Sequence, residues 1–305
     1  MTSPLTIAQT LTWARPQLRE SGSGSPALDA DLLLSFITGL DRAGLYREGQ
    51  QPLTPEEELA YRELIRRRAE GAPVAYLTGC KEFMGLAFAV NPAVLIPRPE
   101  TELLVETALA LLAGSRDPAG KRSVPGAGKS GGPVILDAGT GSGAIAVSLA
   151  VMLPGAQVFA TDLSPAALDV ARQNALRHGV GDRVVFFCGD LLAPLTKAGP
   201  APRADLIAAN LPYIPAGDIP GLTRNVRCFE PLLALDGGPD GLDLCRRLVG
   251  QSLEYLRPGG HLLMEIGPKQ AEAVRSLFPA PLWSLSVKKD LAGRNRLVVA
   301  ERQEA

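Results

Sequence analysis

The sequence predicts an α/β domain built on a mainly parallel sheet, preceded by a small helical domain. Three observations carry that prediction. Apolar, β-rich runs alternate with helical ones through the second half of the chain, a glycine-rich turn separates the first such run from the helix after it, and Leu5 to Ala69 is helical in pattern. The 305 residues, 46% of them hydrophobic, suffice for one large domain and a small one.

Within the helical part, Asp29 to Phe36 places apolar residues on one side, and Thr54-Pro55-Glu56 offers a cap followed by proline at the first helical position. The helix that starts there carries Glu58 with Arg62, and Glu63 with Arg67, at i,i+4 spacing. The Arg66-Arg67-Arg68 run therefore reads as a solvated helix face, with a partner-binding patch as the alternative. Phe83 to Ile96 is short, apolar and broken by Gly85 and Asn91-Pro92, which predicts a β-hairpin linking two domains. Glu100 to Leu112 is strongly helical. From 114 to 133 the composition shifts to Gly, Ser, Pro and Lys with almost no large apolar residue, predicting a flexible surface loop.

Five strands are then expected, at Val134 to Ala138, Val158 to Thr161, Val184 to Phe187, Leu206 to Ala209 and His261 to Ile266. Gly143 to Met152, Pro165 to His178 and Leu242 to Leu256 are long enough for crossover helices. Trp283 to Lys288 and Arg296 to Glu301, around a turn at Gly293, predict an antiparallel hairpin at the sheet edge. The expected division is a helical domain at 1–80, a hairpin linker at 81–96 and a sheet domain at 97–305.

Charge and cysteine usage exclude several functions. Lys and Arg number 31 against 32 Asp and Glu, so no global positive field would draw in a nucleic acid. Cys80, Cys188, Cys228 and Cys245 form no C-x-x-C pair and His178 and His261 are the only histidines, so neither a metal site nor a disulfide framework is expected. Met1 to Glu20 lacks the basic start and apolar run of a secretory signal, and Gly143 to Leu153, interrupted by Ser148, is too short to span a bilayer. A soluble, cytoplasmic protein that does not enter membranes is expected, as a monomer.

The segment Asp137-Ala138-Gly139-Thr140-Gly141-Ser142-Gly143 puts alternate glycines where backbone must bend sharply and approach a ligand closely. Such a loop binds a nucleotide or nucleoside. Gly139, Gly141 and Ala144 also satisfy the dinucleotide fingerprint, with Asp162 roughly the expected ~20 residues onward, so these residues alone leave NAD open. Asp137 favours the methionine part of S-adenosyl-L-methionine, whose ammonium suits a carboxylate where pyrophosphate would be repelled. Asp162 suits the ribose hydroxyls and Asp190, beside Leu191, the adenine amino group. Asp162 also reads as a cap for the helix beginning near Pro165, and Asp190 equally as a structural residue.

After the fourth strand, Asn210-Leu211-Pro212-Tyr213 sets an amide, a backbone carbonyl and an aromatic ring at the ligand edge of the sheet. That set can receive a planar NH2 group. An amide nitrogen is a poor nucleophile because its lone pair is delocalised, so its methylation requires orientation, with acceptors holding both N–H bonds. The Asn210 side-chain oxygen and the Leu211 carbonyl can accept them, and Tyr213 can pack an aliphatic stem. A rigid proline-containing turn is the plainer reading of the same tetrad.

At this point the chain resembles a family, the HemK/PrmC class of release factor glutamine methyltransferases, along nearly its whole length. The resemblance rests on Pro73-Val74-Ala75-Tyr76-Leu77-Thr78-Gly79, Glu82-Phe83-Met84-Gly85-Leu86, the glycine loop, and above all Val94-Leu95-Ile96-Pro97-Arg98-Pro99-Glu100-Thr101-Glu102. It continues in Phe229-Glu230-Pro231, Gly238-Pro239-Asp240-Gly241-Leu242, Glu265-Ile266-Gly267, and Asp290 with Gly293 and Arg296. The resemblance implies a helical domain that helps dock a peptide chain release factor, a hairpin linker and a seven-stranded, Rossmann-like class I methyltransferase domain. It implies S-adenosyl-L-methionine at Gly139 to Gly143, Asp162, Asp190-Leu191 and Asn210, and the glutamine of a Gly-Gly-Gln motif at Asn210 to Tyr213. One position departs, since the family tetrad is Asn-Pro-Pro-Tyr and this chain has Leu211 second. Asn-Leu-Pro-Tyr is also the form in ribosomal RNA adenine dimethyltransferases, so an RNA adenine N6-methyltransferase is the second reading, and a non-catalytic nucleoside-binding module the third.

Overall fold

The computed structural model describes residues 5–114, 131–198 and 203–304, so most of the loop expected at 114–133 lies outside the described residues. The chain divides into two compact units, Met1–Cys80 with Thr223–Phe229, and Lys81–Leu222 with Glu230–Ala305.

The first unit holds α1 (Ile7–Glu20), α2 (Pro26–Thr38), α3 (Arg42–Arg47), α4 (Pro55–Ala69) and α5 (Val74–Thr78). Helices α1 and α4 start at capping boxes, Thr6 with Gln9 and Thr54 with Glu57, which satisfy otherwise orphaned amides. Leu11, Leu18, Leu33, Leu34, Tyr61 and Ile65 fill its core. Buried Asp31 takes hydrogen bonds from Arg15 at 2.9 Å and Tyr46 at 3.0 Å, with Arg42 paired at 3.2 Å. The arginine run differs from a uniform solvated face. Arg62 pairs with Glu58 at 2.8 Å as spaced, and Arg66 with Glu63 at 2.6 Å, but Arg68 reaches Asp29 of α2 at 2.8 Å.

The second unit opens with a hairpin, β1 (Cys80–Phe83) and β2 (Leu86–Ala89), turning at Met84 and Gly85, both at positive φ. This hairpin lies earlier and is shorter than the 83–96 expected. Pro92 has no N–H for a ladder, and Asn91 turns the chain instead, its side-chain oxygen accepting from the Ala93 amide at 2.9 Å. After α6 (Glu102–Gly114) the order is β3 (Val134–Ala138), α7 (Ala144–Met152), β4 (Gln157–Asp162), α8 (Pro165–Arg177), β5 (Val184–Cys188) and β6 (Ala204–Ala209). The chain returns to the first unit as α9 (Arg224–Arg227). It then completes the second with α10 (Asp243–Tyr255), β7 (Leu256–Glu265), α11 (Ala271–Arg275), β8 (Trp283–Lys289) and β9 (Asn295–Arg302).

Among the described residues these strands form the seven-stranded sheet that the resemblance implies, in the order β5-β4-β3-β6-β7-β9-β8. All neighbours are parallel except that β9 runs antiparallel between β7 and β8. Strand residues alternate between two cores, Ile135, Leu206 and Leu263 facing one with α6 and α7, Leu136, Ile207 and Leu262 the other with α10. Strand β7 starts five residues before His261. Its register with β6 shifts between Ala204 and Leu206, and Gly259, at φ +71°, lets the backbone bulge there. Strand order reverses at β3, whose neighbours are β4 and β6, which is where open α/β sheets open a crevice at the carboxyl ends of their strands. Among the described residues no helix is long and apolar enough to cross a membrane.

Candidate active site

A cavity of about 370 Å³ lies at that crevice, within the second unit. Its wall includes Gly139 and Gly141 after β3, Asp162 and Leu163 after β4, Asp190 and Leu191 after β5, and Asn210, Leu211 and Pro212 after β6. The volume falls at the small end of the ~300–1,000 Å³ typical of ligand sites.

The glycine loop is fastened from below. The Gly139 and Thr140 amides both donate to the Thr161 carbonyl at 2.9 Å, so the loop cannot swing away from β4. Gly139 has φ +74°, and a Cβ there would lie 2.9 Å from Leu211 Cδ2, so glycine is required both by the turn and by the leucine packed on it. Thr140 and Ser142 are buried and Gly143 caps α7, none of the three lining the cavity. Their side of the loop is held by Asn174 of α8, whose Nδ2 donates to the Ser142 carbonyl at 2.8 Å and to the Ala89 carbonyl at 3.0 Å, while its Oδ1 accepts from the Ala89 amide at 2.7 Å. Sequence reading missed Asn174, for which a polar residue within a helix is the sole signal.

The three acidic residues occupy different surroundings. Asp137 is fully buried on β3 and is not among the residues of the cavity wall. Being on β3 itself, it lies beneath the loop, where Oδ2 accepts from Thr140 Oγ1 at 2.6 Å and the Ala146 amide at 3.2 Å, while Oδ1 has no hydrogen-bond partner among the described residues. Burial pushes its carboxyl up to about 7, against the pull of those two hydrogen bonds. A carboxyl with a pKa higher folded than unfolded stabilises most at low pH, and that advantage is lost as pH rises through the folded pKa. Relative to Asp137→Asn, whose residue does not titrate, the wild-type chain is therefore expected to lose melting temperature as pH rises from about 3.8 to about 7 and to level off above that. Paired melting curves check this, and parallel curves would refute it.

Asp162 lines the cavity and is the acceptor at the loop's crown, Oδ2 from the Gly141 amide at 2.8 Å and Oδ1 from the Ser164 amide at 2.9 Å. It is not the cap of α8, because Ser164 holds that place and accepts from the Ala167 amide. Burial raises its carboxyl and the two amides oppose the rise. Asp190 also lines the cavity but is paired with Arg247, which shares the wall. That ion pair was not expected, and it makes Asp190 part of a two-residue rim. Leu191, buried at φ +47°, directs the turn beside it.

Around the tetrad runs a chain of hydrogen bonds. Asn210 Nδ2 donates to Thr101 Oγ1 at 3.0 Å, and Thr101 donates to Glu265 Oε2 at 2.7 Å. The other carboxylate oxygen of Glu265 accepts from the Tyr213 hydroxyl at 3.1 Å, and Arg296 donates to that same hydroxyl at 3.3 Å. Burial lifts the Glu265 carboxyl, opposed by Thr101, by the Arg296 charge and by Tyr213. Burial and the Glu265 charge push the Tyr213 phenol up, so it keeps its proton. Tyr213 lies outside the cavity wall, its hydroxyl committed to Glu265. Behind the tetrad a Cβ at Gly241 would lie 2.3 Å from the Tyr213 carbonyl, so this glycine lets the two backbones touch.

The front wall, Ala93 to Leu95, is tied down by Glu230, whose buried carboxylate accepts from the Ile96 amide at 3.2 Å and from Arg98 at 2.6 Å. Pro231 and Leu233 follow it into the same wall.

The family described as PrmC N-terminal domain matches residues 9–79, and that described as Methyltransferase domain matches residues 135–229. The release factor glutamine methyltransferase of Geobacter sulfurreducens is 46% identical over 273 residues, 90% of this chain and 88% of that protein. That of Moorella thermoacetica is 45% identical over 302 residues, 98% of this chain and all of the other. Among solved structures, a release factor-specific protein-(glutamine-N5) methyltransferase from Alicyclobacillus acidocaldarius is 31% identical with a TM-score of 0.40, spanning 71% of this chain and 100% of that one. The hMettl16 catalytic domain, solved with an RNA hairpin, is 15% identical with a TM-score of 0.51 over 83% of each chain, a likeness of fold alone.

Proposed function

The chain belongs to the release factor glutamine methyltransferase family, and on that premise we propose that it transfers a methyl group from S-adenosyl-L-methionine to the side-chain N5 of the glutamine in the Gly-Gly-Gln motif of a peptide chain release factor. The observation that carries this reading at the site is the fixed amide of Asn210. With Nδ2 committed to Thr101, the other end of that planar group is an acceptor, as a substrate NH2 requires.

The residues present fit the donor. Gly139 and Gly141 bring bare backbone to the wall, and the Asp162 carboxylate retains lone pairs for ribose hydroxyls after accepting from Gly141 and Ser164. Leu163, Leu191 and Leu244 supply apolar surface for a flat ring, with the Asp190–Arg247 pair at its rim. Asp137, with Thr140, Ser142 and Gly143, acts by holding the loop in shape. When bound, S-adenosyl-L-methionine supplies a methyl group on a sulfonium, already an activated leaving group.

Asn210 Oδ1 and the Leu211 carbonyl accept the two N–H bonds of the glutamine amide. They thereby hold its nitrogen lone pair on one line of attack, so that the N–C bond forms as the methyl–sulfur bond breaks, leaving S-adenosylhomocysteine, and the nitrogen releases one of its two protons to solvent. Such positioning supplies up to ~7–11 kcal/mol in favourable cases. Tyr213, fixed at its hydroxyl, braces the end of the tetrad.

Mass spectrometry of a release factor incubated with this protein and S-adenosyl-L-methionine tests the reading. A methyl group mapped to the Gly-Gly-Gln glutamine supports it, and transfer to RNA in its place, falling steeply with salt, overturns it. Leu211→Pro is expected to turn over at least as fast as wild type, because proline restricts the conformation of the preceding Asn210. A large loss in single-turnover rate would mean that the Leu211 contact with Gly139 has become part of the pocket.

A further inference from the structure

We propose that Glu265, acting through Thr101, is a positioning residue that sets which end of the Asn210 amide faces the substrate. The inference rests on the glutamine reading above and deepens it.

A carboxylate only accepts hydrogen bonds, and a threonine hydroxyl has one proton to give. Glu265 receives that proton at 2.7 Å, so toward Asn210 the Thr101 oxygen can only accept, and it meets Nδ2 at 3.0 Å. The orientation of the amide follows, with Nδ2 inward and Oδ1 as the acceptor left for substrate. Without the relay the two ends of the Asn210 side chain are nearly equal in shape. A rotation of 180° would then present a donor to the substrate NH2, which offers only donors in that plane. Thr101 and Glu265 are both buried, 4% and 2% exposed, so water does not compete for the direction of these bonds. The same carboxylate takes the Tyr213 hydroxyl at its other oxygen, so one buried charge fixes both ends of the tetrad.

The test compares Thr101→Val with Thr101→Ser and Glu265→Leu, using the release factor as substrate and following methyl transfer by mass spectrometry. Valine keeps the shape of threonine without the hydroxyl, and serine keeps the hydroxyl without the methyl group. Thr101→Val is expected to lower kcat by about 10²-fold, the scale of a misplaced reacting group. KM and the calorimetric affinity for S-adenosyl-L-methionine should stay within a few-fold, and Thr101→Ser should recover most of the turnover. Glu265→Leu, which offers no acceptor to the Thr101 hydroxyl, should lose turnover similarly. It carries the comparison alone if the valine protein does not fold. Turnover within twofold of wild type in Thr101→Val, or equal losses in the valine and serine proteins, would overturn the proposal. The wild-type protein is the reference. If it does not methylate the release factor, the functional reading fails, whereas an active wild type with an unimpaired Thr101→Val fails the relay alone.

Discussion

Asn210→Ala is expected to cut methyl transfer to the release factor by about 10²–10³-fold in kcat, the cost of removing one preorganised polar group from a reacting centre. The fold should survive, because Asn210 stands after the end of β6 and among the described residues its side chain makes a single hydrogen bond, to Thr101. Donor affinity should change little, since the glycine loop and Asp162 are untouched. Alanine removes the acceptor for one substrate N–H and leaves the amide free to rotate about its remaining contact with the Leu211 carbonyl. Stopped assays with mass-spectrometric readout, alongside a melting curve, separate lost chemistry from lost structure. Near-normal turnover would count decisively against the tetrad as the glutamine site.

The second large effect is expected in binding. Asp162→Ala removes a carboxylate that accepts from the Gly141 and Ser164 amides and whose remaining lone pairs are assigned to the ribose. Hydrogen bonds to a charged group contribute about 1.5–3 kcal/mol each, so losing two raises the Kd for S-adenosyl-L-methionine by at least ~10²-fold. Calorimetric titration checks this in the absence of any release factor. An unchanged Kd would leave Asp162 with the loop alone, binding Gly141 and Ser164 and nothing more.

Those two residues were legible in the sequence because strand periodicity places the ends of β4 and β6 at the ligand edge of a parallel sheet. The strands themselves were legible for the same reason, as apolar runs of the right length between helical ones. What escaped is of another kind. Thr101 and Glu265 lie 164 positions apart, Ile96 and Glu230 lie 134 apart, and Asn174 meets Ala89 over 85. Pairs of that separation leave no period to read, because each is made by two elements chosen by the topology. Asp137 shows a different limit. Its distance from the glycines does not tell that its carboxylate accepts from Thr140 and from the Ala146 amide. The bulged start of β7 escaped because Pro258-Gly259-Gly260 reads as a turn before a strand.

Strand β9 has a consequence for the order in which the protein can be made. It follows β8 in the chain yet lies between β7 and β8 in the sheet, and among the described residues β8 pairs with β9 alone. While the ribosome is still synthesising the segment after Lys289, β7 presents an open hydrogen-bonding edge and β8 has nowhere to dock. Arg296, which steadies Tyr213, has not yet been added. The nascent chain thus carries its glycine loop and its tetrad before the Arg296 contact with Tyr213 can form. A chain stopped before Asn295 is left with the β7 edge open to pair with another chain.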